Sequence, residues 1–192
     1  MAIEYEATFW PVDKDEVRDR LKQAGAKLLR PEFLQRRYNF ALPGVGKVTD
    51  TWLRVRDEGD QITMSLKGVY GERIEDQKEI CLKVDNFEEA KNFLEGLNCQ
   101  IKSYQETKRE IWQLDGVEIV IDEWPFLEPL VEIEGPGEAA VKAAAVKAGF
   151  DYTTAQFCSV AKLYKDKYNL EWDQISNQTP KIVFEMANPF VK

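Results

Sequence analysis

Three short runs of like charge carry most of the chemistry in this chain. Glu4-Tyr5-Glu6 and Glu132-Ile133-Glu134 each set two carboxylates two residues apart, and Arg54-Val55-Arg56 does the same with guanidiniums. In an extended strand such residues share a face, where like charges repel by a few tenths to about 1 kcal/mol. Something must offset that repulsion. A divalent cation would do so for the glutamates, and a polyphosphate would do so for the arginines. Histidine is absent, which removes Ser-His-Asp and Cys-His triads, HExxH zinc sites and imidazole acid–base chemistry.

Other conventional motifs are missing too. Cys81, Cys99 and Cys158 are odd in number and widely spaced, so neither a disulfide framework nor a structural zinc is expected. They read as inert small hydrophobes. Gly44-Val45-Gly46 is not followed by Gly-Lys-Ser/Thr, so it reads as a turn and not as a phosphate loop.

The elements that must position these charges follow from periodicity. Residues 2–11 alternate, with Ile3, Tyr5, Ala7 and Phe9 opposite Glu4, Glu6, Thr8 and Trp10. Further strands are expected at about 27–42 (interrupted at Pro31), 52–56, 61–67, 73–84, 99–114, 117–123 and 130–134. Trp52 shares a face with both arginines of its strand. Thr63, Ser65 and Lys67 lie opposite Ile62, Met64 and Leu66. Helical spacing marks residues from Asp13 to Gly25, from Asp85 or Asn86 to Leu97, 138–148 and 154–167. Lys162, on the last of these, either faces solvent or reaches the end of the charged surface.

The 192 residues include 44% hydrophobic and 31% charged side chains, the balance of one folded domain. The net charge of −8 argues against bulk binding of nucleic acid or an anionic membrane. No apolar run approaches the roughly 20 residues of a membrane span, and Met1 is not followed by a basic leader. A cytoplasmic protein is therefore expected. Strand after strand pairs an apolar face with a charged one, which suits an antiparallel α+β domain. An open sheet with its charges in water satisfies that pattern. So does a barrel with its polar face inward, and only the barrel brings the charges to one cavity.

The ordered set of motifs resembles the CYTH superfamily, the triphosphate tunnel metalloenzymes. Glu4-Tyr5-Glu6 is similar to the opening Glu-x-Glu-x-Lys signature, Leu53-Arg54-Val55-Arg56 to the Leu-Arg-x-Arg strand, and Met64-Ser65-Leu66-Lys67-Gly68 to the lysine strand. Glu79 resembles a tunnel glutamate and Lys108-Arg109 the late basic strand. Asp122 and Glu132-Ile133-Glu134 resemble the closing acidic strands, so the likeness spans roughly residues 2–165. It implies a closed or nearly closed eight-stranded antiparallel β-tunnel with a polar interior and helices outside. It implies Glu4, Glu6, Asp122, Glu132 and Glu134 as ligands of Mg²⁺ or Mn²⁺, with Arg54, Arg56, Lys67 and Arg109 binding substrate and Glu79 as an additional tunnel residue. The domain would occupy residues 1–168, with a tail at 169–192 docked on it.

The implied activity is metal-dependent attack on a phosphoanhydride of a nucleoside triphosphate, thiamine triphosphate or inorganic triphosphate. Hydrolysis and class IV adenylyl cyclisation both remain open. Four positions depart from the family pattern. Thr8 and Thr107 stand where lysines are expected, Cys81 where a second glutamate is expected, and Arg36 where an aspartate precedes Tyr38. The six acids and four bases named above give a bare lining of about −2, which two divalent ions would bring to about +2. Two further lysines would match a triphosphate better. The losses therefore suggest an alternative function, a weakened binder or sensor of phosphorylated metabolites, unless Arg36 or Lys108 restores the charge. A third possibility is a structural module that reuses the barrel.

Overall fold

A computed structural model describes residues 1–44 and 50–191. Val45 and Gly46 of the expected turn lie outside the described residues. The chain opens with two short strands, β1 (Ala2–Ile3) and β2 (Tyr5–Phe9), which form one line broken at Glu4. Long strands β3 (Lys27–Ala41) and β7 (Gln100–Leu114) form the middle of the sheet. Between them in sequence lie β4 (Thr51–Asp57), β5 (Ile62–Val69) and β6 (Gln77–Val84). β8 (Val117–Glu123) and β9 (Leu130–Gly135) follow. The hydrogen-bonded order is β1-β6-β5-β4-β3-β7-β8-β9-β2.

The two ends of that order are neighbours in the chain. β1 pairs with β6, β2 pairs with β9, and Glu4 between them donates its N–H to the Gln77 carbonyl at 3.0 Å. The sheet thus closes on itself as a nearly closed antiparallel tunnel of nine strands. Counting β1 and β2 as one broken strand gives the expected eight.

Alternation then sends one set of side chains outward and the other into the tunnel. Ala7, Phe9, Ile119, Ile121, Val131 and Ile133 face out and are buried under helices α1 (Lys14–Gln23) and α3 (Glu138–Lys147). Asp13 starts α1 by accepting hydrogen bonds from the N–H groups of Asp15 and Glu16. On the other flank Phe40 and Val55 pack beneath Phe87, Ala90 and Leu94 of α2 (Phe87–Gly96), a helix capped by Asn86. The β7–β8 hairpin turns on Asp115 and Gly116, both at positive φ, as a two-residue turn requires.

Three boundaries differ from the sequence reading. β3 runs through Pro31 as an irregular strand, with register shifts between Leu28 and Phe33. Residues 74–76 form a 3₁₀ turn ahead of β6, closed by Arg73 and Asp76, and the turn buries Ile74. The late helix α4 is Val160–Tyr168 and not 154–167. Residues 155–158 instead lie along the tunnel, where Gln156 exchanges backbone hydrogen bonds with Thr8 at 2.9 Å each way.

The tail contributes a short helix, α5 (Trp172–Ser176), and a two-residue strand, β10 (Lys181–Ile182). β10 adds to β7 in parallel, the exception to the antiparallel pairing expected for the sheet. Ile175 and Ile182 pack with Trp124, Leu130, Leu163 and Tyr164. Ile182 is fully buried, so Ile182→Ala should cost about 2–5 kcal/mol of unfolding free energy in a urea titration. Leu82→Ala, at a side chain 53% exposed on the outer face of β6, should stay within about 0.5 kcal/mol.

Candidate active site in the tunnel

The tunnel encloses a cavity of about 800 Å³. Glu4 and Glu6 enter it from the broken N-terminal strand, and Glu132 and Glu134 from β9. Glu6 stands directly opposite Glu134 in the strand pairing. Glu4, Glu6 and Glu134 each bring a carboxylate oxygen within 4.8 Å of the other two. Burial pushes the Glu4 carboxyl up to about 7, and Lys67 only partly opposes it. Glu6 is pushed well above the ordinary carboxylate range, by burial first and then by Glu132 and Glu4. Glu134 is the exposed member of the three, and desolvation by the surrounding wall raises it as well. Three hard oxygen donors crowded so that they resist ionising together fit a divalent cation by their chemistry.

The bases arrive from the other side. Arg54 and Arg56 of β4 project inward, Arg54 pairing with Glu79 at 3.2 Å and Arg56 with Glu58 at 2.6 Å. Lys67 of β5 bridges Glu4 at 2.7 Å and Glu79 at 3.5 Å. Burial works against the Lys67 charge, but Glu4, Glu6 and Glu79 outweigh it and hold its pKa above the ordinary value. Glu79 is held low in spite of burial, because Lys67 and Arg54 face it. Arg109 of β7 makes a two-point contact with Asp122, Nε to Oδ1 at 2.8 Å and an Nη to Oδ2 at 2.5 Å. It also reaches Glu132 at 2.8 Å.

These placements divide the expected ligand set. Glu4, Glu6 and Glu134 converge. Glu132 lines the same cavity but is engaged by Arg109. Asp122 is fully buried behind them, with both oxygens taken up by the Arg109 fork. In this arrangement it orients Arg109.

Neither expected substitute for the missing charge reaches the tunnel. Arg36 shares the outward face of β3 with Tyr38 and pairs with Asp57 at 2.8 Å. Lys108 lies on the outer face of β7, pairing with Glu123 and stacking on Phe184. The inward residue of that part of β3 is Arg37, which sequence reading passed over. It is 4% exposed, stacks on the Trp124 ring at 4.6 Å and donates to Gln35 at 3.1 Å and to Thr107. The signal was available: two-residue alternation from Tyr38 and Phe40 puts Gln35, Arg37 and Asn39 on the other face.

Smaller positions complete the wall. Thr8 is buried opposite Glu132 and beneath Gln156. Cys81 pairs with Ser65 on an exposed stretch of β6. Cys158 lines the cavity, and burial pushes its thiol up to about 12, which leaves it protonated and unreactive. Lys162 reaches the cavity wall and pairs with Asp166 at 2.5 Å. Trp52, Trp124 and Trp172 supply aromatic surface.

Comparison with known proteins bears directly on this tunnel. The family model for the CYTH domain matches residues 2–165. The chain belongs to the CYTH family. A Methanocaldococcus jannaschii protein named "putative adenylate cyclase" is 27% identical over 123 residues, 64% of this chain and 70% of its own length. The structure of a Vibrio parahaemolyticus protein, also named a "putative adenylate cyclase", superposes with a TM-score of 0.71 at 12% identity, covering 84% of this chain and 97% of its own. A Hippeastrum structure gives a TM-score of 0.58 at 14% identity over 90% and 99% of the two chains. At those identities the structural likenesses establish the shared fold.

Within this CYTH tunnel the raised carboxyls set a pH dependence. The folded chain holds a proton on Glu4 up to about pH 7, whereas the unfolded chain releases it near the ordinary value of 4.5. Stability from that group is fully present below pH 4.5 and is lost as pH rises through about 7. In the absence of divalent cations the melting temperature should fall between pH 5 and pH 8. Glu4→Gln should flatten that fall, and an unchanged slope would show that the buried carboxyl is not its source.

Proposed function

We propose that this protein is a divalent-metal-dependent enzyme that acts on the phosphoanhydride of an organic or inorganic triphosphate. The single observation that carries this reading is the segregation of charge inside one cavity. Glu4, Glu6 and Glu134 crowd together at one wall, while Arg54, Arg56 and Arg109 approach from the others. A metal-bound polyphosphate presents a cation to the first group and anionic oxygens to the second.

On this reading Glu4, Glu6 and Glu134 hold Mg²⁺ or Mn²⁺, whose oxygen preference they match. A bound ion would draw charge from the phosphate oxygens and orient the nucleophile. Arg54 and Arg56 grip phosphate oxygens through paired N–H groups, and Lys67 adds a point charge beside the metal carboxylates. Arg109, fixed by Asp122, is presented in one orientation with Glu132 as its second partner. The strands and the segment 155–158 wall in these groups, and the lower dielectric of that wall strengthens their charged contacts. The nucleophile is water in hydrolysis and the ribose 3′-hydroxyl in cyclisation. The cyclase names of the Methanocaldococcus and Vibrio proteins support the second route. The Hippeastrum protein, described as having a dominant triphosphatase activity, supports the first.

Thr8 favours a second reading, a binder or sensor of phosphorylated metabolites, because it leaves the metal wall short of one cation. One assay separates these. ATP, thiamine triphosphate and inorganic triphosphate are each incubated with Mg²⁺ or Mn²⁺, and phosphate, pyrophosphate and cyclic AMP are measured. Cyclic AMP with pyrophosphate selects cyclisation, and phosphate release selects hydrolysis. EDTA-sensitive binding without product selects the sensor. Glu6→Gln and Glu134→Gln should each lower metal-dependent turnover at least about 10- to 100-fold, the cost typical of even a supporting residue in a metal site. Wild-type turnover in both variants would overturn the metal assignment.

A further inference from the structure

Arg37 differs from the four cations already placed at the centre of the tunnel. Arg54, Arg56, Lys67 and Arg109 each have a carboxylate partner. Arg37 has no ion pair among the described residues, and its hydrogen-bond acceptors are the neutral oxygens of Gln35 and Thr107. Its neighbours make matters worse. Arg56 stands directly across from it in the β3–β4 pairing, and burial together with Arg56, Arg54 and Arg109 drives its pKa well below the ordinary value. Among the described residues, the buried Nε–H groups of Arg37, Arg54 and Arg56 all lack an acceptor. An arginine kept for packing alone would be matched by a carboxylate or replaced by an apolar residue.

Position 107 explains the placement. Thr107 is fully buried on β7, and Gln35 is its partner across the β3–β7 ladder, two residues from Arg37. The threonine hydroxyl accepts from the Arg37 guanidinium, which therefore occupies the space that a long basic side chain at 107 would fill.

We propose that Arg37, with Arg54 and Arg56, forms an anion subsite that holds one phosphate group of the ligand, and that Arg37 takes the part of the base missing at position 107. This deepens the triphosphate reading and rests on it for the identity of the full ligand. The subsite itself takes a tetrahedral oxyanion. Arg37 is a binding residue here and not an acid or base.

The test uses the full chain with Arg37→Met, Thr107→Lys and the double variant. Calorimetric binding of inorganic triphosphate with Mg²⁺ is compared with melting temperature in the presence and absence of inorganic phosphate. Arg37→Met should weaken triphosphate binding about 10- to 100-fold, as loss of a charge-assisted phosphate contact does. In anion-free buffer it should melt at or above the wild-type temperature, because a buried repulsive charge has gone. Adding Thr107→Lys should restore most of the lost affinity, and Thr107→Lys alone should not tighten binding. Unchanged affinity in Arg37→Met overturns the proposal. So does a lower melting temperature in Arg37→Met with no rescue by Thr107→Lys, which would mark Arg37 as structural. If the wild type binds no triphosphate, the functional reading fails. The subsite then stands only if phosphate raises the melting temperature of the wild type and not of Arg37→Met, and it falls otherwise.

Discussion

The structure depends on one constraint: a sheet closed with its polar face inward gathers its charges away from bulk water, where each one left unmatched is a cost. In water an exposed ion pair contributes little, because solvent screens both partners. Inside a tunnel each unmatched charge is costly, so position along the strand decides whether the fold tolerates it. Lys67 between Glu4 and Glu79, and Arg109 between Asp122 and Glu132, are answers to that requirement. Arg109 fastens the consecutive strands β7, β8 and β9, whereas Lys67 reaches Glu4 across 63 positions and ties the chemistry to closure of the barrel. Glu4 does this twice. Its backbone joins the broken N-terminal strand to β6, and its side chain takes the lysine of β5.

The outer face follows from the inner one. Alternation sends the residues flanking each tunnel charge to the outer face, and the apolar ones among them are mostly covered. Phe40 and Val55 go under α2, while Ile119, Ile133 and Ala7 go under α1 and α3. The helices are therefore a consequence of directing charge inward. Where the cover ends, on β6, Ile80 and Leu82 remain exposed.

This economy made much of the molecule legible in the sequence. β4, β5 and β9 alternate without interruption, so Arg54, Arg56, Lys67, Glu132 and Glu134 could be assigned to the tunnel face by counting in twos. The closing contact of β1 with β6 could not be counted, because it joins residues more than 70 positions apart. Arg36 and Arg37 were confused because β3 carries Pro31 and two register shifts upstream, which hide its phase until Tyr38 and Phe40 reset it. Asp122 was legible as a tunnel acid but not as the partner of Arg109, since cross-strand register between β7 and β8 depends on the Asp115-Gly116 turn. The start of α4 was misplaced for a related reason. Residues 155–158 have helical composition, yet Gln156 finds backbone partners on Thr8, and a helix there would leave those groups unpaired.

Segregation of charge, more than its total, gives the cavity its character. Acids and bases pair where the two sets meet, at Lys67, Arg54, Arg56 and Arg109. Glu4, Glu6 and Glu134 nevertheless stand together on one side, and Arg37 and Arg56 stand together on the other. Here burial and mutual repulsion push the Glu4 and Glu6 carboxyls up, while the same two effects push Arg37 and Arg56 down. Both shifts express one condition, a lining under electrostatic strain toward opposite kinds of ligand. Such strain lowers the stability of the empty fold and is released by whatever occupies it. A lone cation would relieve the glutamates and leave the arginines repelling one another. A lone anion would do the reverse. Of simple ligands, a polyphosphate carrying its own divalent ion relieves both walls together, and on the proposed reading that shared relief is the source of selectivity.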